Sequence, residues 1–241
     1  MAQLVGRERK LQPQIGTRKL QVLLKEELKQ ARVKIGRDRL FEELRERDLL
    51  VKRRRPEYPR TTSSRHRLSV FPNLIKNRPA TKANEVWVSD ITYLRTKEGF
   101  VYLALLTDRY SRKILGYHCA DTLEAVGCIK ALEMALGNLP KGAKPIHHSD
   151  RGCQYCCEHY LERLWQHGFS VSMTEKNHAA ENAMAERING ILKSEYALDS
   201  EFQTKEQARC SAAQAVLLYN TRRPHRALGY QIPDDVHSLA A

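Results

Sequence analysis

Residues 86–107 read VWVSDITYLRTKEGFVYLALLT. Two runs of β-branched, aromatic and aliphatic residues, 86–94 and 100–107, flank a turn at Gly99, which predicts two strands of a hairpin. Asp90 stands in the middle of the first run. Aspartate is depleted in strands, and its charge is costly to bury without a partner. A third run, KILGYHCA at 113–120, extends the hairpin into an antiparallel meander.

Downstream, the pattern alternates. Residues 122–138 carry Ala125, Ile129, Leu132 and Leu136 at helical spacing. A short strand, 145–149, runs into Asp150, and Ser149-Asp150-Arg151-Gly152 is turn-like. A helix over 157–167, a strand over 169–174, a helix over 180–198 and a helix over 205–219 complete the order. The order βββαβαβα predicts an α/β domain: a five-stranded mixed sheet with helices on both faces.

Upstream, the chain changes character. Residues 1–85 hold 23 Lys and Arg against 10 Asp and Glu, whereas residues 86–241 hold 18 of each, so the whole net charge of +13 lies in the first third. This asymmetry fits a polyanion-binding module joined to a body with another task. Residues 1–16 read as a loose lead-in. Thr17 caps a helix to about Gln30 with Leu20, Leu23, Leu24 and Leu28 inward, and a second helix spans about Arg37 to Asp48. Two short helices in so basic a segment suggest a helix-turn-helix, with Arg37, Arg39, Arg45 and Arg47 on the second helix facing DNA. Lys52, Arg53, Arg54 and Arg55 suit a phosphate backbone. The expected division is a helix-turn-helix domain at 1–55, a basic linker at 56–83 and the α/β body with its C-terminal helix at 84–241.

Some classes are disfavoured. No apolar run approaches the roughly 18 residues of a membrane span, and the start lacks a signal-peptide pattern, so a cytosolic protein without membrane partners is expected. Six cysteines without a secretion signal read as thiols. Cys153-x-x-Cys156, with Cys157 and His159 nearby, finds no second ligand pair to complete a zinc site.

Placed on a helix, AENAMAERINGILK at 180–193 puts Met184, Ile188, Ile191 and Leu192 on one side and Asn182, Glu186, Asn189 and Lys193 on the other. Asp90, Asp150 and Glu186 are hard oxygen ligands of the kind that hold Mg²⁺ beside phosphate oxygens. Two such ions about 4 Å apart serve phosphoryl transfer. Each carboxylate singly also suits a duller role: a hydrogen-bonded strand residue, a turn cap or a solvated helix residue.

Together the blocks WVSDITYL, HHSDRGCQY and ENAMAERINGILKSE resemble the signature blocks of the DDE integrases, and 35 residues separate Asp150 from Glu186, the D,D(35)E spacing. The chain most resembles the second open reading frame (OrfB) of transposases in the group named for insertion sequence 3. IGRDRLFEELRERDLLV is similar to that group's N-terminal module, and YNTRRPHRALGYQIP to its C-terminal signature.

The resemblance implies an RNase H-like catalytic core. It implies Asp90, Asp150 and Glu186 as ligands of Mg²⁺ or Mn²⁺, two ions per site, and Lys193 as a contact to the DNA end. Asn182 and Asn189, on the same helix face, are further candidates for DNA contact. Glu181 is a rival third ligand but projects about 140° from Glu186; Glu175 precedes the helix. His147 and His148 read as strand-end residues rather than ligands. The cysteines at 153, 156 and 157 depart from the Ser or Thr usual in relatives.

The expected function is transposition: metal-dependent strand cleavage and strand transfer on element ends and target duplex. The resemblance further implies a homo-oligomer assembled on DNA and an upstream-frame (OrfA) product as partner or fusion. Two other readings compete. One is a catalytically inactive DNA-binding regulator derived from a transposase, and the other a hydrolase of RNA–DNA hybrids.

Overall fold

The computed structural model describes residues 1–51, 68–175 and 181–240. Lys52, Arg53, Arg54 and Arg55, expected on a phosphate backbone, lie outside the described residues. Strands β1 (Val86–Thr96), β2 (Gly99–Asp108) and β3 (Ile114–Ala120) form the expected antiparallel meander. Strands β4 (Ile146–Ser149) and β5 (Ser170–Met173) add in parallel to the β1 side, giving the order β3-β2-β1-β4-β5.

Alternation along β2 divides the core. Val101, Leu103 and Leu105 face one layer, and Ala104 and Leu106 face the other. The second layer holds α5 (Ala125–Leu136), α6 (Cys153–Cys156) and α7 (Glu158–Gln166). The first holds α8 (Ala183–Glu195) and α9 (Lys205–Arg222). A Cβ on Gly116 of β3 would stand 2.1 Å from the Ala131 carbonyl oxygen, so glycine is what lets α5 lie flat on the sheet.

The N-terminal unit contains α2 (Thr17–Leu23), α3 (Lys25–Gln30) and α4 (Arg37–Glu46), packed around Leu20, Leu24, Leu28, Leu40 and Leu44. The expected helix over 17–30 is interrupted at Leu24, where ψ is 0°. The lead-in is not loose: Ala2–Leu11 forms α1, whose Val5 and Glu8 are buried. Helix α8 stops before the expected boundary, since Ala197 turns left-handed at φ 58°. Helix α9 runs three residues further than expected, and a last helix, α10 (Pro233–Ala240), packs on it where the sequence pattern showed none.

The second half of the anticipated linker is tied down. The Pro72 carbonyl accepts from the Met173 N–H (3.4 Å), and the Leu74 N–H donates to Ser172 Oγ (2.9 Å), so this segment covers the exposed edge of β5. Ile75 is buried against Val86, Val88 and Ile146.

The N-terminal unit meets the body through charges. Glu195, in the last turn of α8, opposes the helix dipole. Arg223 donates to both its oxygens (2.9 and 3.0 Å), and Lys19 of α2 donates to one of them. Arg222 grips the buried Glu8 of α1 through both oxygens (2.8 and 2.9 Å). Burial works against the Glu195 charge, but Arg223 and Lys19 outweigh it and hold the carboxyl below its usual range. Burial also lowers the Lys19 pKa; the Arg223–Glu195 pair therefore carries the attraction.

Two outcomes follow from this packing. Gly116→Ala should lower unfolding stability by about 1–3 kcal/mol through overpacking, read by denaturant titration. Glu195→Gln should cost about 3–5 kcal/mol, because it leaves buried Arg223 uncompensated. A depressed carboxyl pKa stabilises above the unfolded value of about 4.3 and ceases to as pH falls through the folded one. The wild-type melting temperature should therefore fall more steeply than the variant's below about pH 4.

Candidate active site

Pairing between β1 and β4 runs Val86↔Ile146, Trp87↔His147, Val88↔His148. Continuing this register two residues sets Asp150 beside Asp90. The two aspartates are thus brought together by strand pairing between segments far apart in sequence. Asp150 caps its own turn, Oδ1 accepting from the Gly152 N–H at 2.9 Å. Asp90 Oδ2 accepts from Asn189 Nδ2 at 2.7 Å.

The polar face of α8 and its lead-in turns toward β1. Asn182 Nδ2 donates to the Ser89 carbonyl (3.2 Å), and Asn189 bonds to Asp90. Both asparagines are buried. They bracket Glu186, one helical turn from each, on the helix face turned to β1, where its charge acts on Asp90. These amides hold the helix to the strand. The Glu186 carboxylate is exposed and has no hydrogen-bond partner among the described residues.

The three carboxylates act on one another. Burial first, then the charges of Asp150 and Glu186, push the Asp90 carboxyl up to about 7, against the bonds from Asn189 and the Ile91 N–H. Glu186 is raised by burial and by Asp150. Among the described residues, no three His, Cys, Asp or Glu side chains already close on one point as a metal cage. The donors nonetheless suit a hard cation: carboxylate oxygens that repel one another, and a buried Asn189 Oδ1 without a partner.

Other expected residues take clear places. Glu181, the rival ligand, accepts from Asn73 Nδ2 at 2.9 Å and from the Glu175 N–H, so it is used to hold the segment that covers β5. His147 Nε2 bonds to Ser89 Oγ (2.7 Å) and Tyr160 OH (2.9 Å); burial lowers its pKa to about 3. His148 Nδ1 bonds to Ser172 Oγ (2.8 Å), and burial brings it to about 4. Both histidines are neutral braces of β4. Cys156 packs in the core against Met173, its thiol pushed up to about 11 by burial, while Cys153 is exposed. Lys193 is buried with Nζ 4.1 Å from the centre of the Tyr93 ring, and burial, then Arg95, lowers it to about 8.

On α4, Arg37, Arg39 and Arg45 are exposed, but Arg37 pairs with Asp38 (2.8 Å) and Arg39 with Glu43 (2.9 Å). Exposed pairs of this kind are worth about 0.2–1 kcal/mol, so they yield readily to a phosphate.

Comparison with known proteins fits this geometry. Models of an integrase core domain match residues 80–179 and 167–233. An insertion element IS600 uncharacterized 31 kDa protein of Shigella sonnei is 37% identical over 232 residues, covering 94% of this chain and 84% of that protein. The chain belongs to the integrase-core family of insertion-element transposases. Transposase InsF for insertion sequence IS3A of Escherichia coli K12 is 34% identical over 171 residues, 70% of this chain and 59% of that protein. The HTLV-2 integrase catalytic core, solved in complex with magnesium, shares the fold at 19% identity and a TM-score of 0.52, over 66% of this chain and 99% of that core. The RNase H-like core expected from the sequence is thereby shown.

Sequence reading of this transposase core missed the bracketing role of the two asparagines and the Glu195 cluster. Their seven-residue spacing was visible; that the face they share meets a strand was not. Asn189→Ala should weaken Mn²⁺ binding by about 10–100-fold in a calorimetric titration, as loss of a residue that orients a ligand does. Its melting temperature should change far less than that of Glu195→Gln.

Proposed function

We propose that this chain catalyses divalent-metal-dependent cleavage and transfer of DNA strands at the ends of an insertion sequence. The observation that carries the reading is that the charges of Asp150 and Glu186 act with burial to raise Asp90, and that of Asp150 to raise Glu186, a cost that bound cations would offset. Asp90, Asp150 and Glu186 would hold Mg²⁺ or Mn²⁺, about two ions per site, whose chemistry is to activate an attacking oxygen and stabilise a leaving one.

The protein's own groups would do the rest. The Asn189 amide and the Ile91 N–H orient the Asp90 carboxylate, and the Gly152 N–H fixes one oxygen of Asp150. Lys193, near the far end of the same helix, would set the phosphate of the DNA end in line. A water oxygen bonds to phosphorus and the P–O3′ bond breaks, leaving a 3′-hydroxyl on the element. That hydroxyl then bonds to a target phosphorus, and a target 3′-oxygen leaves.

The N-terminal unit (residues 1–55), the linker (56–83) and the core (84–241) divide DNA contact from chemistry on this reading. Arg37, Arg39, Arg45 and the cations at 52–55 would serve the duplex. A homo-oligomer on DNA and the upstream-frame product are the partners the reading calls for. Among the described residues no helix is long and apolar enough to cross a membrane.

The test is joining of a labelled element end to target DNA in Mg²⁺. Wild type should form joined product, and Asp150→Asn should fall to background while still retarding the end fragment in a gel. Equal joining by both proteins would remove the mechanism. Retained binding with no joining by either would favour the regulator reading.

A further inference from the structure

Between the N-terminal unit and the body lies a cleft of about 1290 Å³. It exceeds the roughly 300–1,000 Å³ of a small-molecule pocket, which suits an extended ligand. Its two walls come from different parts of the fold. One is the start of α2 with Phe41 of α4; the other is α8 from Arg187 onward, the end of β1 and the stretch after α9.

The lining is cationic where it is exposed. Arg18, Arg95, Arg187 and Arg226 all face the cleft and are exposed. Glu195 and Arg223 also line it, but they neutralise each other. Asp199 is the other carboxylate present. Three aromatic rings line the cleft with these cations: Phe41 and Tyr230, both half-buried, and the buried Tyr93 under Lys193. Arg187 and Lys193, which line the cleft, lie on the helix that carries Glu186, Lys193 two turns beyond it.

Duplex DNA is read by convex elements that enter its grooves. A concave channel with cations for phosphates and rings for bases is the arrangement that holds an unpaired strand. We propose that this cleft binds an unpaired DNA strand and brings it to Lys193, on the helix that carries Glu186, with Arg18 and Arg226 as phosphate contacts on opposite walls. The proposal rests on the reading above only for the identity of the polymer. The Glu195 cluster, which joins the two walls, keeps the channel assembled.

The experiment uses the full chain, without divalent metal, and fluorescence anisotropy with a labelled oligodeoxynucleotide of about 12 residues, its duplex, and a labelled mononucleotide. The strand should bind, the mononucleotide should not. The double variant Arg18→Ala/Arg226→Ala should weaken strand binding by about tenfold or more and reduce the slope of log affinity against log salt by about 1.4, two contacts at roughly 0.7 each. Duplex binding should change less. Tyr230→Leu should weaken the strand complex, and Tyr230→Phe should restore it. Lys130→Ala/Arg163→Ala removes equal charge from exposed positions on α5 and α7, across the sheet, and should leave strand binding unaltered. Both cleft arginines are exposed, so an unchanged melting temperature will confirm folding. Unaltered strand affinity in the Arg18/Arg226 variant, or an equal loss for strand and duplex, would overturn the proposal. Because metal is absent, failure of end joining leaves this result standing, and failure here leaves end joining standing.

Discussion

Bringing like charges together is the constraint around which this molecule is built. Three carboxylates on one small surface repel one another, and burial of Asp90 magnifies the cost. Nothing in the carboxylates themselves favours the arrangement, so the backbone imposes it. The parallel pairing of β1 with β4 fixes the two aspartates; neutral His147, bonded to Ser89 and Tyr160, braces that pairing, and neutral His148, bonded to Ser172, ties β4 to β5. Burial keeps both neutral and leaves the negative potential intact.

The parts of this plan visible in the sequence are those set by local periodicity. The β-branched runs gave the strands, and the 3.6-residue spacing gave α8 and its polar face. A projection says which residues share a face but not what that face meets. Asn182 and Asn189 therefore read as groups for DNA, while the fold uses their amides on Ser89 and Asp90. The first helix was hidden for a different reason. Its stretch, AQLVGRERKL, has few apolar residues, and its burial depends on Glu8 meeting Arg222, 214 positions away. No local rule reports a partner at that distance.

Charge was legible as an amount and misleading as a location. In the C-terminal signature stretch, Arg223 is buried on Glu195, and Arg222 is bonded to Glu8. Helix α4 carries three arginines against four carboxylates, so its face is not basic. The exposed cations that converge, Arg18, Arg95, Arg187 and Arg226, come one from each of four segments and stand out nowhere in the sequence. Clustering in space is made by the fold, and only there does a set of single arginines become a field.

Helix α8 links these two halves of the molecule. Near its start, the amides of Asn182 and Asn189 bind it to β1 on the face that carries Glu186. At its end, Glu195 is held by Arg223 and by Lys19 of the N-terminal unit. About 14 Å of helix separates Glu186 from Glu195. A helix transmits rotation about its axis with little loss, so the placement of Glu186 is not independent of how the N-terminal unit sits. Docking that pulls on Glu195 bears on Glu186 through the rigid backbone between them. The ion pairs at the C-terminal end thus contribute to site geometry although none of them touches it. The buried charge of Glu195, set against its own helix dipole, is kept because it fastens to Arg223 and Lys19 at once, which an apolar residue at that position could not do.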